Sequence, residues 1–142
     1  MAFESPFEDI EKMRPPEGEA LSFTADAAVE AGQVVKLTGD AEVSPSDTDG
    51  EETIGVATQS VSAGDTVMVV GNGGRALFTA GDANVSANDP VTSHGATGEE
   101  GQVTEADTDG DFIIGYALEA AGSQGDTFRG VVDRGYYESG GE

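Results

Sequence analysis

The sequence is poor in cysteine, histidine and basic residues, and each shortage excludes a class of function. It has no cysteine, which excludes disulfides, thiolate metal sites and cysteine nucleophiles. Its single histidine, His94, excludes a metal site built from several histidines of one chain. Six Lys and Arg against 28 Asp and Glu give 142 residues a formal net charge of −22. This charge repels the phosphates of nucleic acids and of anionic membranes, so we expect neither as a partner.

Long apolar runs are also missing, and none approaches the roughly 18 residues of a transmembrane helix. Lysine is scarce as well, at 2 of the 6 basic residues, while glycine and small apolar residues are abundant. In 1 M salt the Debye length is about 3 Å, so repulsion between surface carboxylates is screened and hydrated carboxylates keep a protein soluble. The composition therefore predicts a protein adapted to molar salt. The alternative is an ordinary acidic protein.

The first 19 residues differ from the rest of the chain. Ser5, Pro6 and Glu8 fit a helix-capping box, and Pro15 with Pro16 ends the helical pattern. We predict an N-terminal arm over residues 1–19 that contains a short helix. Its apolar side chains would contact a surface, either on their own domain or on a neighbouring subunit: Phe3, Phe7, Ile10 and Met13.

From residue 20 to residue 132, short runs rich in valine, isoleucine, threonine and phenylalanine alternate with turns rich in glycine and aspartate. One such run is 84–86, between runs at 75–79 and 90–93. This spacing is typical of a β-sandwich or β-barrel of many short strands. We therefore predict an all-β domain over 20–132, followed by an acidic, glycine-rich C-terminal tail over 133–142.

The β region contains an internal repeat. The segment DTDG at 47–50 recurs 60 residues later at 107–110, and IG at 54–55 recurs at 114–115. GDT at 64–66 recurs at 125–127, and each copy is followed by a run that ends in two valines. Two copies predict a compact β-barrel or sandwich with pseudo-two-fold symmetry, with halves at about 31–71 and 87–132.

The DTDG segments are the candidate metal sites of this sequence. Their carboxylates resemble the start of a calcium loop: Asp47, Asp49, Asp107 and Asp109. The third ligand, the following glycine and the closing glutamate of an EF-hand are missing, so we favour hydrated turns and expect no metal and no cofactor. No catalytic constellation stands out, and we expect no enzyme. Tyr136 and Tyr137 in the tail are candidate interface residues.

In this order and spacing, the short elements resemble the small β-barrel capsid decoration (cement) proteins of tailed viruses. The matching segments are AGQVV at 31–35, IGVA at 54–57, GDTVMV at 64–69, GRALFT at 74–79, NDPV at 88–91, GQV at 101–103 and IIGYALEA at 113–120.

The resemblance implies a structural virion protein that binds the major capsid protein on the outer surface of an icosahedral capsid and stabilises it. It also implies self-association, commonly as a homotrimer, and no catalytic residues. With the salt-adapted composition, we expect the decoration protein of a virus that infects a halophilic archaeon. Two alternatives are a surface or adhesion module of a halophilic cell, although we see no signal peptide or anchor, and a divalent-metal-dependent enzyme that uses the DTDG turns.

Overall fold

Ten short β-strands joined by turns make up the part of the chain that the computed structural model describes, residues 20–138. They are β1 (Ala20–Ala25), β2 (Val34–Gly39), β3 (Glu42–Pro45), β4 (Gly55–Ala57), β5 (Thr66–Val70), β6 (Arg75–Thr79), β7 (Pro90–Ser93), β8 (Val103–Glu105), β9 (Phe112–Ala117) and β10 (Thr127–Tyr136). The all-β prediction is confirmed. The helical arm predicted for residues 1–19 lies outside the described residues. Within 20–138, no helix is long and apolar enough to cross a membrane.

The first five strands form a closed barrel, here called unit 1, in the order β1-β3-β2-β4-β5. Strand β1 pairs antiparallel with β5 and parallel with β3, and the parallel pair of Ala25 with Val43 closes the barrel. The other neighbouring strands pair antiparallel.

The last five strands are here called unit 2 and have the order β6-β10-β9-β7-β8. Starting from β6, this is the unit 1 order read in the opposite direction around the barrel. Each strand of unit 2 corresponds to the strand five places earlier, and the registers agree residue by residue. For example, Leu21 opposite Val69 in unit 1 corresponds to Ala76 opposite Gly130 in unit 2. A single parallel bridge between Ala80 and Val103 matches the closing pair of unit 1. The repeat seen in the sequence is therefore a repeat of five strands.

The units differ from the predicted halves at their edges. Each unit begins one strand earlier than the sequence repeat indicated, because β1 and β6 share little sequence although they occupy equivalent places. The predicted tail also starts too early, since β10 continues through Tyr136 and pairs there with Phe112. A register shift between Val132 and Gly135 lets the pairing resume after an irregularity that interrupts the apolar pattern.

Residues 84–86, predicted as a strand, form none in the structure. Their backbone amides bond to side chains instead: Asn84 N donates to Asp82 Oδ1 at 3.0 Å and Ser86 N to Asp89 Oδ2 at 2.8 Å. Val85 enters the core as a single residue, and its carbonyl accepts a hydrogen bond from Ala121 N. Local side-chain acceptors therefore replace a strand ladder here.

The core consists mainly of valine and alanine, because the interior of a five-stranded barrel is narrow. It divides into two clusters. The unit 1 cluster contains Ala25, Val29, Val35, Val43, Ala57, Val67 and Val69. The unit 2 cluster contains Phe78, Ala80, Val85, Val91, Val103, Ile114, Ala117, Ala121, Phe128 and Val132, together with Val34 and Val56 of unit 1. Two strands of unit 1, β2 and β4, thus contribute to both cores.

Unit 2 is built around two stacked phenylalanines. Phe78 and Phe128 lie opposite each other on β6 and β10, with ring centroids 5.5 Å apart and an interplanar angle of 16°. A Cβ at Gly130 would press against the Phe78 ring, and a Cβ at Gly115 would clash with the Val131 carbonyl oxygen and crowd the same ring. The aromatic pair therefore requires glycine at 130, and the close approach of β10 requires it at 115.

Alanine at Gly130 tests this packing. The Gly130→Ala Cβ would lie 2.6 Å from Phe78 Cε1 and 2.9 Å from the Tyr116 carbonyl oxygen. Because the ring sits in a filled core, we expect the free energy of unfolding to fall by about 1–3 kcal/mol. Chemical denaturation followed by circular dichroism measures it. Gly135→Ala, in the same strand with no neighbouring atom within 4 Å, is the control. Equal losses in both variants would contradict the packing argument.

Candidate functional site

The first acidic turn lies between β3 and β4 and is held by an ionic cluster. Lys36 Nζ lies 2.7 Å from Asp47 Oδ1 and 3.5 Å from Glu51 Oε1. The hydrogen bond from Lys36 lowers the pKa of the Asp47 carboxyl below its ordinary value, and the same bond raises the pKa of Lys36. Glu51 Oε2 also accepts the backbone N–H groups of Asp47 and Thr48 at 2.7 and 3.0 Å. These carboxylates stabilise the turn itself.

The second acidic turn, between β8 and β9, has the matching place in unit 2 and contains Asp107 and Asp109. Thr108 Oγ1 donates to Asp107 Oδ1 at 3.1 Å, and Thr108 N donates to Asp111 Oδ2 at 3.3 Å. Gly110 N donates to the carbonyl of Tyr137 at 3.0 Å, which ties the turn to the chain just after β10.

The first turn also joins the two units. Asp49 Oδ1 accepts the backbone N–H of Gly95 at 2.6 Å, and Gly50 N donates to the Ser93 carbonyl at 3.1 Å. Phe112 N donates to the Gly50 carbonyl at 3.0 Å. The structure therefore places the four candidate metal ligands in two separate turns. Among residues 20–138, no group of three or more His, Asp and Glu side chains is arranged to hold a metal ion.

The predicted interface tyrosines lie at the end of β10. The Tyr136 side chain is 64% exposed and packs edge-on against Phe112, with ring centroids 5.1 Å apart. Arg134 lies over the same Phe112 ring at 5.3 Å, and its Nε donates to the Thr53 carbonyl. Tyr137 is half-buried. The other predicted interface residues lie outside the described part of the chain: Phe3, Phe7, Ile10 and Met13.

The exposed leucines are a surface that the sequence analysis missed. All four leucines of the chain are about half exposed: Leu21 49%, Leu37 55%, Leu77 54% and Leu118 52%. Leu21 and Leu37 alternate with the outward residues of their strands and so point towards the barrel interior. Alternation along the strands alone indicates that Leu21 and Leu37 are buried. The assembled barrel shows that the end at which they lie is uncovered.

These two leucines belong to an apolar groove at one end of unit 1, here called the unit 1 opening. It is lined by Leu21, Phe23, Leu37, Ile54 and Val69, with Gly71, Asn72 and Arg134 at its edge. Phe23 and Ile54 are only partly buried and pack against the unit 1 cluster. A contiguous apolar surface of this kind is typical of a contact with another macromolecule.

Comparison with known proteins identifies the family and the fold of this chain. The sequence profile of a family described as phage cement protein matches residues 15–132, which include both units. No curated protein sequence matches the chain. A solved structure, the N base of the head fiber gp8.5 of bacteriophage phi29, aligns with a TM-score of 0.61 at 22% identity. The alignment covers 84% of this chain and 97% of that chain, so the two share their fold.

The family match spans most of the chain, and it confirms the resemblance to phage capsid decoration proteins. The chain therefore belongs to the phage cement protein family, whose members are structural components of the virion bound to the outer surface of the capsid.

Proposed function

We propose that this protein binds the major capsid protein of a tailed virus as an oligomer, commonly a homotrimer in its family, and stabilises the icosahedral capsid in molar salt. The observation that carries the proposal is the cement-protein match across both units. It favours the capsid over an adhesion module or a divalent-metal-dependent enzyme. A small domain tied together by backbone and turn hydrogen bonds suits a role in which many identical copies reinforce one shell, because linked weak contacts multiply.

Apolar residues are the best candidates for the capsid contact. In molar salt, attraction between exposed charges is screened within a few ångströms, whereas burial of apolar surface is not weakened. The arm over residues 1–19 carries the large apolar side chains Phe3, Phe7, Ile10 and Met13, and Tyr136 adds an exposed aromatic ring beside Arg134. We propose that the arm makes the principal contact with the capsid and that Tyr136 and Tyr137 contribute to an interface.

The charge distribution supports the proposal that the protein is adapted to concentrated salt and belongs to a virus of a halophilic archaeon. With a net charge of −22, the folded chain holds carboxylates close to one another. Glu105 is an example: partial burial, followed by the nearby charges of Asp89, Asp107 and Asp82, raises the pKa of its carboxyl. The charged form of Glu105 therefore destabilises the folded state. The share of this destabilisation that comes from neighbouring carboxylates is screened by salt.

The capsid contact is tested by co-sedimentation with capsids that lack the protein, in molar NaCl. We expect saturable binding of the full chain. Removal of residues 1–19, or the change Phe7→Asp, should weaken it by roughly tenfold or more, since burial of one phenylalanine contributes about 1.5–3 kcal/mol. Glu8→Gln is the matched control and should bind normally. Undiminished occupancy without the arm would reject its role, and no binding of the full chain would reject the capsid function.

The charge argument is tested by thermal unfolding of Glu105→Gln in low and in molar salt. Because the pKa of Glu105 is raised in the folded state, its ionisation destabilises the fold at pH values above the ordinary carboxyl pKa. At pH 7 the variant, which has no charge at this position, should therefore be more stable. We expect its Tm to rise by roughly 1–2 °C in low salt and by less in molar salt. The control Glu119→Gln removes a carboxylate whose pKa is lowered by hydrogen bonds from Arg129, so it should not raise Tm. A gain at Glu105 that is equal at both salt concentrations would contradict repulsion.

A further inference from the structure

The packing of unit 1 on unit 2 defines an apolar row. Val34, Val56 and Val70 lie side by side across β2, β4 and β5, on the outer face of the unit 1 barrel. Val34 and Val56 are nevertheless at most 1% exposed, because both enter the unit 2 cluster, and Val70 packs against that cluster. The Val34 amide also donates to the Gly101 carbonyl just before β8. The outer face of unit 1 thus covers one side of unit 2.

The side of unit 2 that is covered corresponds to the unit 1 opening. By the strand registers, Leu21 and Phe23 of unit 1 match Ala76 and Phe78 of unit 2. Phe78 is fully buried, whereas Phe23 is only partly buried and Leu21 is half exposed. The same holds for two further pairs: Leu37 is 55% exposed where Ser93 is 1% exposed, and Ile54 is partly exposed where Ile114 is fully buried. One opening is covered by the neighbouring unit, and the other is uncovered within residues 20–138.

The outer face of unit 2 has a matching row of its own. Pro90, Tyr116 and Val131 lie side by side across β7, β9 and β10, at the positions that Val34, Val56 and Val70 occupy in unit 1. This row, here called the unit 2 face, stays partly exposed within the described chain. Arg75 continues it on β6, opposite Val131, and supplies a positive charge on a strongly acidic protein.

We infer that the unit 2 face of one copy packs over the unit 1 opening of a second copy, and so repeats between molecules the contact that joins the units within one molecule. The inference deepens the proposed function, on whose oligomer it rests. Each molecule then offers one opening and one face on different units, so the contact is head to tail. Such a contact gives a ring of identical copies when its rotation closes, and we infer the closed ring as the oligomer. Its apolar side chains remain adhesive in molar salt, and Arg75 reduces the repulsion between acidic copies.

A competing occupant of the opening is the arm of the same chain, since residues 1–19 join β1 directly before Leu21. We favour a second copy because the equivalent opening is filled by an outer sheet face, and the chain carries a second, unused version of that face. The two occupants predict different effects of substitutions on the unit 2 face, because the arm does not need that face.

The contact is tested by measuring molar mass with light scattering after size-exclusion chromatography, in molar NaCl and without capsids. We expect the wild-type chain to be a closed oligomer. Leu37→Asp places a charge in the opening and Tyr116→Asp places one on the face, so each variant should be a monomer. Thr38→Asp adds the same charge on the next residue, which points to the other side of β2, and should leave the oligomer intact. Circular dichroism checks that each variant is folded, and Leu21→Asp and Val131→Asp serve as second variants for the two surfaces.

Mixing the two monomeric variants gives the decisive result. Leu37→Asp keeps an intact face and Tyr116→Asp keeps an intact opening, so an equimolar mixture should form a 1:1 complex that cannot grow further. A monomeric wild type, variants that remain oligomeric, or a mixture that stays monomeric would each overturn the inference. An oligomer that survives Tyr116→Asp but is lost when residues 1–19 are removed would assign assembly to the arm. Because no capsid is present, failure of this contact leaves the capsid contact of the proposed function standing, whereas a monomeric wild type would also reject its oligomer.

Discussion

Two strands that contribute side chains to both cores hold this fold together. On β2, Val35 points into the core of unit 1 and Val34 into the core of unit 2, and on β4 Ala57 and Val56 do the same. Successive side chains of a strand point to opposite faces, so an apolar pair can close two cores at once. Unit 2 is complete only because unit 1 supplies these valines.

Much of this fold could be read from the sequence because it depends on local patterns. The short β-branched runs gave the strands, and the repeated DTDG and GDT turns gave the duplication. Closure of the unit 1 barrel could not be derived, since the pair of Ala25 with Val43 joins strands that share no turn. The prediction of a strand at 84–86 is wrong because the side chains of Asp82 and Asp89 accept hydrogen bonds from its backbone N–H groups. The apolar periodicity of a sequence does not show when side chains replace a neighbouring strand as acceptors.

The functional surfaces were less predictable, for a related reason. Alternation along the strands directs Leu21 and Leu37 towards a barrel interior, but whether that end is covered depends on how the two units are placed. The acidic turns attracted attention as possible metal sites, whereas Asp47 pairs with Lys36 and Asp49 holds Gly95 of the other unit. The Asp49 carboxylate thus joins the two units, and the remaining acidic surface suits a hydrated exterior in concentrated salt. Adhesion is thus left to apolar side chains.

These features combine into one account: a duplicated five-stranded unit whose internal contact is reused between copies, on the outside of a capsid. Electron cryo-microscopy of virus particles in molar salt tests it most directly. The account predicts rings of this protein on the outer shell, in which the opening lined by Leu21 and Leu37 receives the sheet face of the next copy around Tyr116. Particles without the protein would contradict the account. So would a contact in which unit 1 packs on unit 1, or unit 2 on unit 2, of the next copy.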